Sequence, residues 1–462
     1  TLTVTYKEAN TNQSVDMGKQ FSAKVNIVDP NTFGAYGTGT LASAIISSAQ
    51  KGGENRTTWG SKVTEFTSIS GENERVLNSA PDDYGISYYF RGNVLDNNVK
   101  FSTYNEDLYV GYYSEDTSKP SASYNSLSSC QNATKYNKKC TLINKKGDSI
   151  KWKIVRINGD GTVRLIFDGI AGYSEFNKDD SDNATMGYMY GLKGQTETKN
   201  QCIKLNSSGT KAIADSSIVT QNDCEEAGYK WTTTPYEATH VNVVSSTIKT
   251  NLEAWYKTNI VDTNNTDYIA DTLFCNDKTI ATNLKTIKKN SELGYGTNTT
   301  YYSFLERVSP EGTVSSGVKA YLVQPKFECA KGTNNTYSRF TSNSIETIKG
   351  VKVNNDLTYP IGLLSADEMI YSGANVNEIN ENYYLYNSDI NSRTLLLTPS
   401  YYPGGGFDHG IGWYTYANKC VTTAGYTLSE YNIFQPTINI KSTVKVLGGD
   451  GTKENPYTLK LQ

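Results

Sequence analysis

The chain has 462 residues; 37% are hydrophobic and 20% charged, and 44 basic residues against 47 acidic ones leave a formal charge of -3. That length argues for two or three domains, and the balanced charge, with no basic cluster carrying interleaved aromatics, argues against nucleic acid as a partner. The polarity comes from Asn, Thr, Ser, Gly and 35 Tyr, beside only 4 Met and 2 His. Tyr and Thr fit a pleated strand surface and Asn and Gly fit turns, so the composition predicts a β-rich extracellular protein.

In chain order, Leu2, Val4 and Tyr6 alternate with threonines, which predicts a period-2 strand beginning at the first residue. A second strand is expected over Phe21, Ala23, Val25 and Ile27. Thr40 caps a short helix from Leu41 to Gln50, which Gly52 and Gly53 stop. Residues 1–80 thus read as a small N-terminal β-rich assembly domain with one short helix, ending near Ala80. Residues 81–462 read as a larger mixed domain. Val94 to Phe101 predicts a pair of strands. Polar stretches at about 113–148 and 194–240 read as insertions, each holding two cysteines. Between them lies the clearest hairpin: Ile150, Trp152, Ile154 and Ile157, then Asn158-Gly159-Asp160-Gly161, then Val163, Leu165 and Phe167. Ser245 or Ser246 caps a helix whose apolar stripe is Ile248, Leu252, Trp255 and Tyr256. Ser365-Ala366-Asp367-Glu368 is a capping box that opens another helix. Strands close the chain at 394–398, 413–416, 437–440, 444–447 and 457–461. The fold class expected is α+β and β-rich.

No C-x-x-C pair is present among the seven cysteines, which removes the zinc-ribbon and thioredoxin-like readings. Cys130 with Cys140 and Cys202 with Cys224 are local disulfide candidates. Cys275 with Cys329 would close a longer loop, and Cys420 is left over. The other reading is seven reduced, buried thiols; export favours the bridges. Two histidines, His240 and His409, are too few for the common multi-histidine metal sets. No nucleophile elbow, P-loop or dinucleotide fingerprint occurs. Asp179, Asp180 and Asp182 form the one weak calcium candidate, since hard oxygen ligands on a loop suit that ion; no other cofactor is called for. The paired tyrosines 112–113, 188–190, 301–302, 383–384 and 401–402 could line a sugar-stacking face, or they pack the strands.

Several stretches carry a family likeness. They are Tyr88-Tyr89-Phe90-Arg91-Gly92, residues 154–166 around Asn158-Gly159-Asp160-Gly161, Met186-Gly187-Tyr188-Met189-Tyr190-Gly191, Ala270-Asp271-Thr272-Leu273-Phe274-Cys275-Asn276-Asp277, residues 359–368 ending in Ser365-Ala366-Asp367-Glu368, and Gln435-Pro436-Thr437-Ile438-Asn439-Ile440. Over about residues 84–461 the chain resembles an uncharacterised extracellular domain of Gram-positive bacterial surface proteins. That domain is related to the C-type-lectin-like, formylglycine-generating-enzyme type of fold. The resemblance implies a C-type-lectin-like mixed body with twisted antiparallel sheets. In this chain Gln435 stands where an Arg is usual.

These readings converge on a non-enzymatic, extracellular, cell-surface structural protein. The expected role is subunit of a surface filament or pilus, with copies of itself as partners and Leu2, Val4 and Tyr6 donated to a neighbour's sheet. The alternative is a monomeric adhesin or carbohydrate-binding module that meets glycans or a host surface. No stretch approaches the roughly 20 apolar residues of a membrane span, and the start at Thr1 reads as a mature chain whose leader is removed.

Overall fold

The computed structural model describes residues 37–51, 62–63, 66, 77–115, 120–133, 138–176, 199–205, 212–215, 217–218, 220–234, 246–275, 300–308, 324–329, 338–339, 345–348, 351–355, 357–387, 390, 392–402, 411–416, 420–422 and 430–461. The two strands expected before residue 30 lie outside this set. The protein is β-rich α+β, with a short helix nearest the N-terminus. That helix, α1 (Leu41–Lys51), follows Thr40, whose hydroxyl accepts the Ser43 amide at 3.2 Å as the cap pattern requires.

Next come β1 (Leu77–Asp82), β2 (Gly85–Phe90) and β3 (Asn98–Thr103). The expected strand pair at 94–101 is a turn leading into one strand, because Asn97 and Asn98 spend their side-chain amides on the carbonyls of Ile154, Leu95 and Gly451. The first insertion region is a small sheet of β4 (Leu108–Tyr112), β5 (Pro120–Tyr124) and β6 (Lys139–Asn144) with α2 (Leu127–Asn132) on it. After it run β7 (Ser149–Ile157), β8 (Val163–Phe167) and β9 (Gly172–Ser174). The second insertion region builds a separate three-stranded sheet from β10 (Lys199–Leu205), β11 (Ala212–Asp215) and β12 (Lys230–Thr234), with α3 (Gln221–Glu226).

The helix α4 (Thr247–Tyr256) starts where Ser246 accepts the Lys249 amide. There follow β13 (Thr300–Tyr301), α5 (Ser303–Val308), β14 (Ser338–Arg339), β15 (Ile345–Ile348), β16 (Val351–Asn355), α6 (Ala366–Ser372) and β17 (Asn375–Val376). The chain closes with β18 (Arg393–Tyr402), β19 (Ile411–Tyr416), β20 (Cys420–Thr422), β21 (Asn432–Phe434), β22 (Thr437–Ile440), β23 (Lys445–Gly448) and β24 (Tyr457–Lys460).

The hub of the main sheet is β7. Its residues 152–157 pair with β8, while 149–153 pair with β3 on the other edge and 156–157 with β2. The sheet then extends through β24 to β23, and β22 lies on β8. Along β7 the period-2 pattern sends Ile150, Trp152 and Ile154 into the core. The predicted stripe of α4, Ile248, Leu252, Trp255 and Tyr256, is buried against it. Trp152, Phe167 and Trp255 meet edge-to-face with centroids 5.7–5.9 Å apart. Each such ring contributes its burial, about 1.5–3 kcal/mol for Phe, and an additional ~0.5–1.5 kcal/mol per ring pair. The helix α1 shares this same core through Leu41, Ala42, Ile45, Ile46 and Ala49. The division expected near Ala80 falls inside β1.

Candidate functional site

Segments around residues 82–91, 154–166, 273–274, 365–368 and 439 are scattered in sequence but meet in space. Asp82, at the end of β1, turns its carboxylate into the β1–β2 turn and accepts the amides of Tyr84 and Gly85 at 2.8 and 2.9 Å. Its other oxygen accepts the Ser87 hydroxyl at 2.6 Å, the Gly159 amide at 2.9 Å and Arg156 Nη1 at 3.3 Å. Arg156 lies over the Phe327 ring, 4.3 Å from its centroid, and reaches Glu368 Oε1 at 3.4 Å. Arg164, across the same hairpin, donates to Glu368 Oε1, to the Leu273 carbonyl and to Asn439 Oδ1, and lies over Phe274. Asn439 Oδ1 also accepts the Asn158 side-chain amide at 3.0 Å. Glu368 closes the capping box of α6 with its second oxygen, which accepts the Ser365 amide at 3.0 Å.

All four charged groups of this node are buried, with side-chain exposures of 3–5%. Burial pushes the Glu368 carboxyl up, but the guanidiniums of Arg164 and Arg156 and the hydrogen bonds from Arg164 and the Ser365 amide together bring it below its ordinary value. Burial, with Arg164 alongside, holds Arg156 below its ordinary value. Next to the node Asp367 accepts Arg307 Nη2 at 2.6 and 2.8 Å and the Lys326 amide at 2.9 Å; burial nevertheless leaves it above the usual Asp range. Arg91 of the Tyr-Tyr-Phe-Arg-Gly stretch donates to the carbonyls of Ile370 and Tyr371 at the C-terminal end of α6, where a cation is favoured. Gln435 donates to the carbonyls of Phe167 and Gly169. The cavity against Arg156, Arg164 and Asp367 holds about 20 Å³, room for one water. Chemically this arrangement joins five distant segments to one another: both oxygens of Asp82 and of Glu368 accept from donors within the node, while Arg156 Nε, Asn158 Oδ1 and Asn439 Nδ2 are buried with no hydrogen-bond partner among the described residues.

The three expected disulfides are present: Cys130–Cys140, Cys202–Cys224 and Cys275–Cys329, with Cα separations of 6.1, 5.5 and 5.2 Å. The first ties α2 to β6 and the second α3 to β10, so each insertion region is stapled helix to strand. Cys420 is the free cysteine, buried in β20, where burial pushes its thiol up. Among the described residues one trio has metal-ligand proximity, Asp83 with Cys275 and Cys329, but its two sulfurs are bonded to each other. The calcium candidates Asp179, Asp180 and Asp182, the assembly residues Leu2, Val4 and Tyr6, and both histidines lie outside the described residues. Of the paired tyrosines, Tyr112, Tyr302, Tyr383 and Tyr384 are buried in the core and form no sugar-facing platform, whereas Tyr113 is exposed. Among the described residues, no helix is long and apolar enough to cross a membrane.

The outer face of the β3–β7 pair floors a concavity of about 850 Å³, walled by the segment from Ile143 to Ser149 and by the β23–β24 turn. Lys100 lies directly opposite Lys151, and Asn98 opposite Lys153, so these four side chains share the face turned away from Val99 and Trp152. A like-charged pair directly opposed across strands destabilises a sheet by up to about 1 kcal/mol. Lys145 and Lys453 add to the rim.

Comparison with protein-family models, curated proteins and solved structures returned no match for the chain.

Proposed function

We propose that this chain is a non-enzymatic, extracellular structural protein of a bacterial surface, the subunit of a filament or pilus assembled by N-terminal strand addition. The observation that carries the structural reading is the buried node. Its charged residues Asp82, Arg156, Arg164 and Glu368 pair with one another and join five chain segments. Three disulfides add the staples expected of a protein exposed to an oxidising exterior. The assembly element is the alternation of Leu2, Val4 and Tyr6, whose apolar face needs a partner sheet. Removing residues 1–8 and comparing sedimentation with the intact chain tests this: the shortened protein should keep its melting transition and sediment as a monomer. Polymers of unchanged size after the deletion would end the strand-addition reading.

A second reading, a monomeric adhesin or carbohydrate-binding module, is favoured by the lysine-lined concavity on the β3–β7 face.

A further inference from the structure

We propose that the concavity floored by β3 and β7 is a binding site for an acidic polysaccharide, whose anionic groups are met by Lys100 and Lys151. This deepens the adhesin reading and rests on it, but does not depend on whether the chain polymerises.

Charge is the first ground. The chain as a whole carries -3. Yet Lys100, Lys145, Lys151, Lys153 and Lys453 all line this one hollow, with Asp148 and Asp168 as its acidic residues. Asp168 is committed to Lys153, at 3.7 Å, and Lys153 also donates to the Tyr384 carbonyl at 2.6 Å. Lys100, Lys145, Lys151 and Lys453 are exposed and make no salt bridge among the described residues. A concave surface lined by one sign of charge raises the local concentration of oppositely charged ligand.

Register is the second ground. Lys100 and Lys151 are held face to face by the antiparallel pairing that buries Val99 against Trp152 one position away. Neither lysine can leave this face without moving a core residue onto it. The register thus sets two exposed lysines of like charge side by side on the floor of the hollow, where an anion between them would relieve their repulsion.

Shape and polarity choose the ligand. A hollow of about 850 Å³ suits a small molecule or a few units of a polymer, not a duplex. Its remaining lining includes Ser149, the side-chain oxygens of Asn98 and Asn144, whose amide nitrogens are held by backbone carbonyls, and the ring of Tyr104. Lysines act as separate point charges, which suits anionic groups carried on successive units of a polymer, and no arginine lines the hollow.

The test uses the full chain and immobilised polygalacturonate at low salt, with neutral dextran and duplex DNA beside it. The intact protein should bind polygalacturonate and not dextran, and duplex DNA only weakly. The Lys100→Gln/Lys151→Gln double variant should lose roughly tenfold or more in affinity, as expected for two charge-assisted contacts. Lys445 and Lys460, also directly opposed but on the β23–β24 edge outside the hollow, supply the control. Lys445→Gln/Lys460→Gln should stay within about twofold of the intact chain. The melting temperature of the Lys100/Lys151 variant should hold or rise, which separates loss of binding from loss of fold. Equal binding by the two double variants would overturn the site while leaving glycan binding elsewhere, and so the adhesin reading, intact. Binding to none of the three polymers would overturn both, and duplex DNA held as tightly as polygalacturonate would overturn the ligand class.

Discussion

The Gly159 amide donates to Asp82 Oδ2 at 2.9 Å, which locks the turn of the β7–β8 hairpin onto the turn of the β1–β2 hairpin, 77 residues earlier in the chain. The approach is so close that a Cβ at Gly159 would lie 2.5 Å from the Gly85 nitrogen and 2.6 Å from Asp82 Oδ1. Gly159→Ala should therefore destabilise the protein by about 1–3 kcal/mol, the usual result of overpacking a rigid site. In a urea titration the midpoint should fall with the slope unchanged. An unchanged midpoint would mean that the two turns are not held together in solution.

Glu368 is the anion of the node. Replacing it with Gln keeps the shape but leaves Arg164 buried without its counter-charge and Arg156 with Asp82 alone, and should destabilise by about 3–5 kcal/mol. The exposed pair Lys257–Asp262, at 2.8 Å, is the comparison: Asp262→Asn should leave the urea midpoint where it was. Equal effects of the two substitutions would contradict the node's role.

The same carboxyl fixes a pH dependence. Its native pKa lies below the ordinary 4.5, so the stability it contributes is complete above 4.5 and is lost as pH falls from there through the native value. Asp367, raised above its ordinary 3.8 by burial, works in the opposite sense: its contribution is present below 3.8 and is lost as pH rises through its native value. The stability gap between the intact chain and Glu368→Gln isolates Glu368, and it should narrow as the pH drops below 4.5. A gap independent of pH would show that Glu368 is not ionised in the native protein.

The disulfides differ in reach. Cys275–Cys329 closes a separation of 54 residues and Cys130–Cys140 one of 10. On the chain-entropy account the longer loop contributes about 1.5 kcal/mol more. Cys275→Ala/Cys329→Ala should lower the melting temperature further than Cys130→Ala/Cys140→Ala. The remaining thiol, Cys420, is buried and its pKa is raised, so a thiol-reactive dye should label it only after denaturation. Rapid labelling of the native protein would place that thiol at the surface.

Local chemistry was legible in the sequence, and distant pairing was not. The hairpin at 158–161, the capping box at 365–368, the cap and stripe of α4 and all three cysteine pairs depend on residues close together or on simple parity, and each is found as expected. Strand propensity at 94–101 was overridden by the side-chain amides of Asn97 and Asn98, which bind carbonyls far along the chain. Arg164 and Glu368 are 204 residues apart, and nothing in hydrophobic periodicity joins two isolated charges over that distance. Their only trace was that both fell in stretches carrying the family likeness. The lysine face was hidden for a similar reason: Lys100 and Lys151 look like ordinary strand-surface residues until the β3–β7 register sets them opposite each other. Of the two readings of the tyrosine runs, packing holds at 383 and 384, where both adjacent rings turn inward.

The most direct test of the account is an electron micrograph of the intact chain at neutral pH. Unbranched fibres of uniform width, built head to tail, are the predicted result. A field of single, separate particles at every protein concentration would contradict the filament assignment.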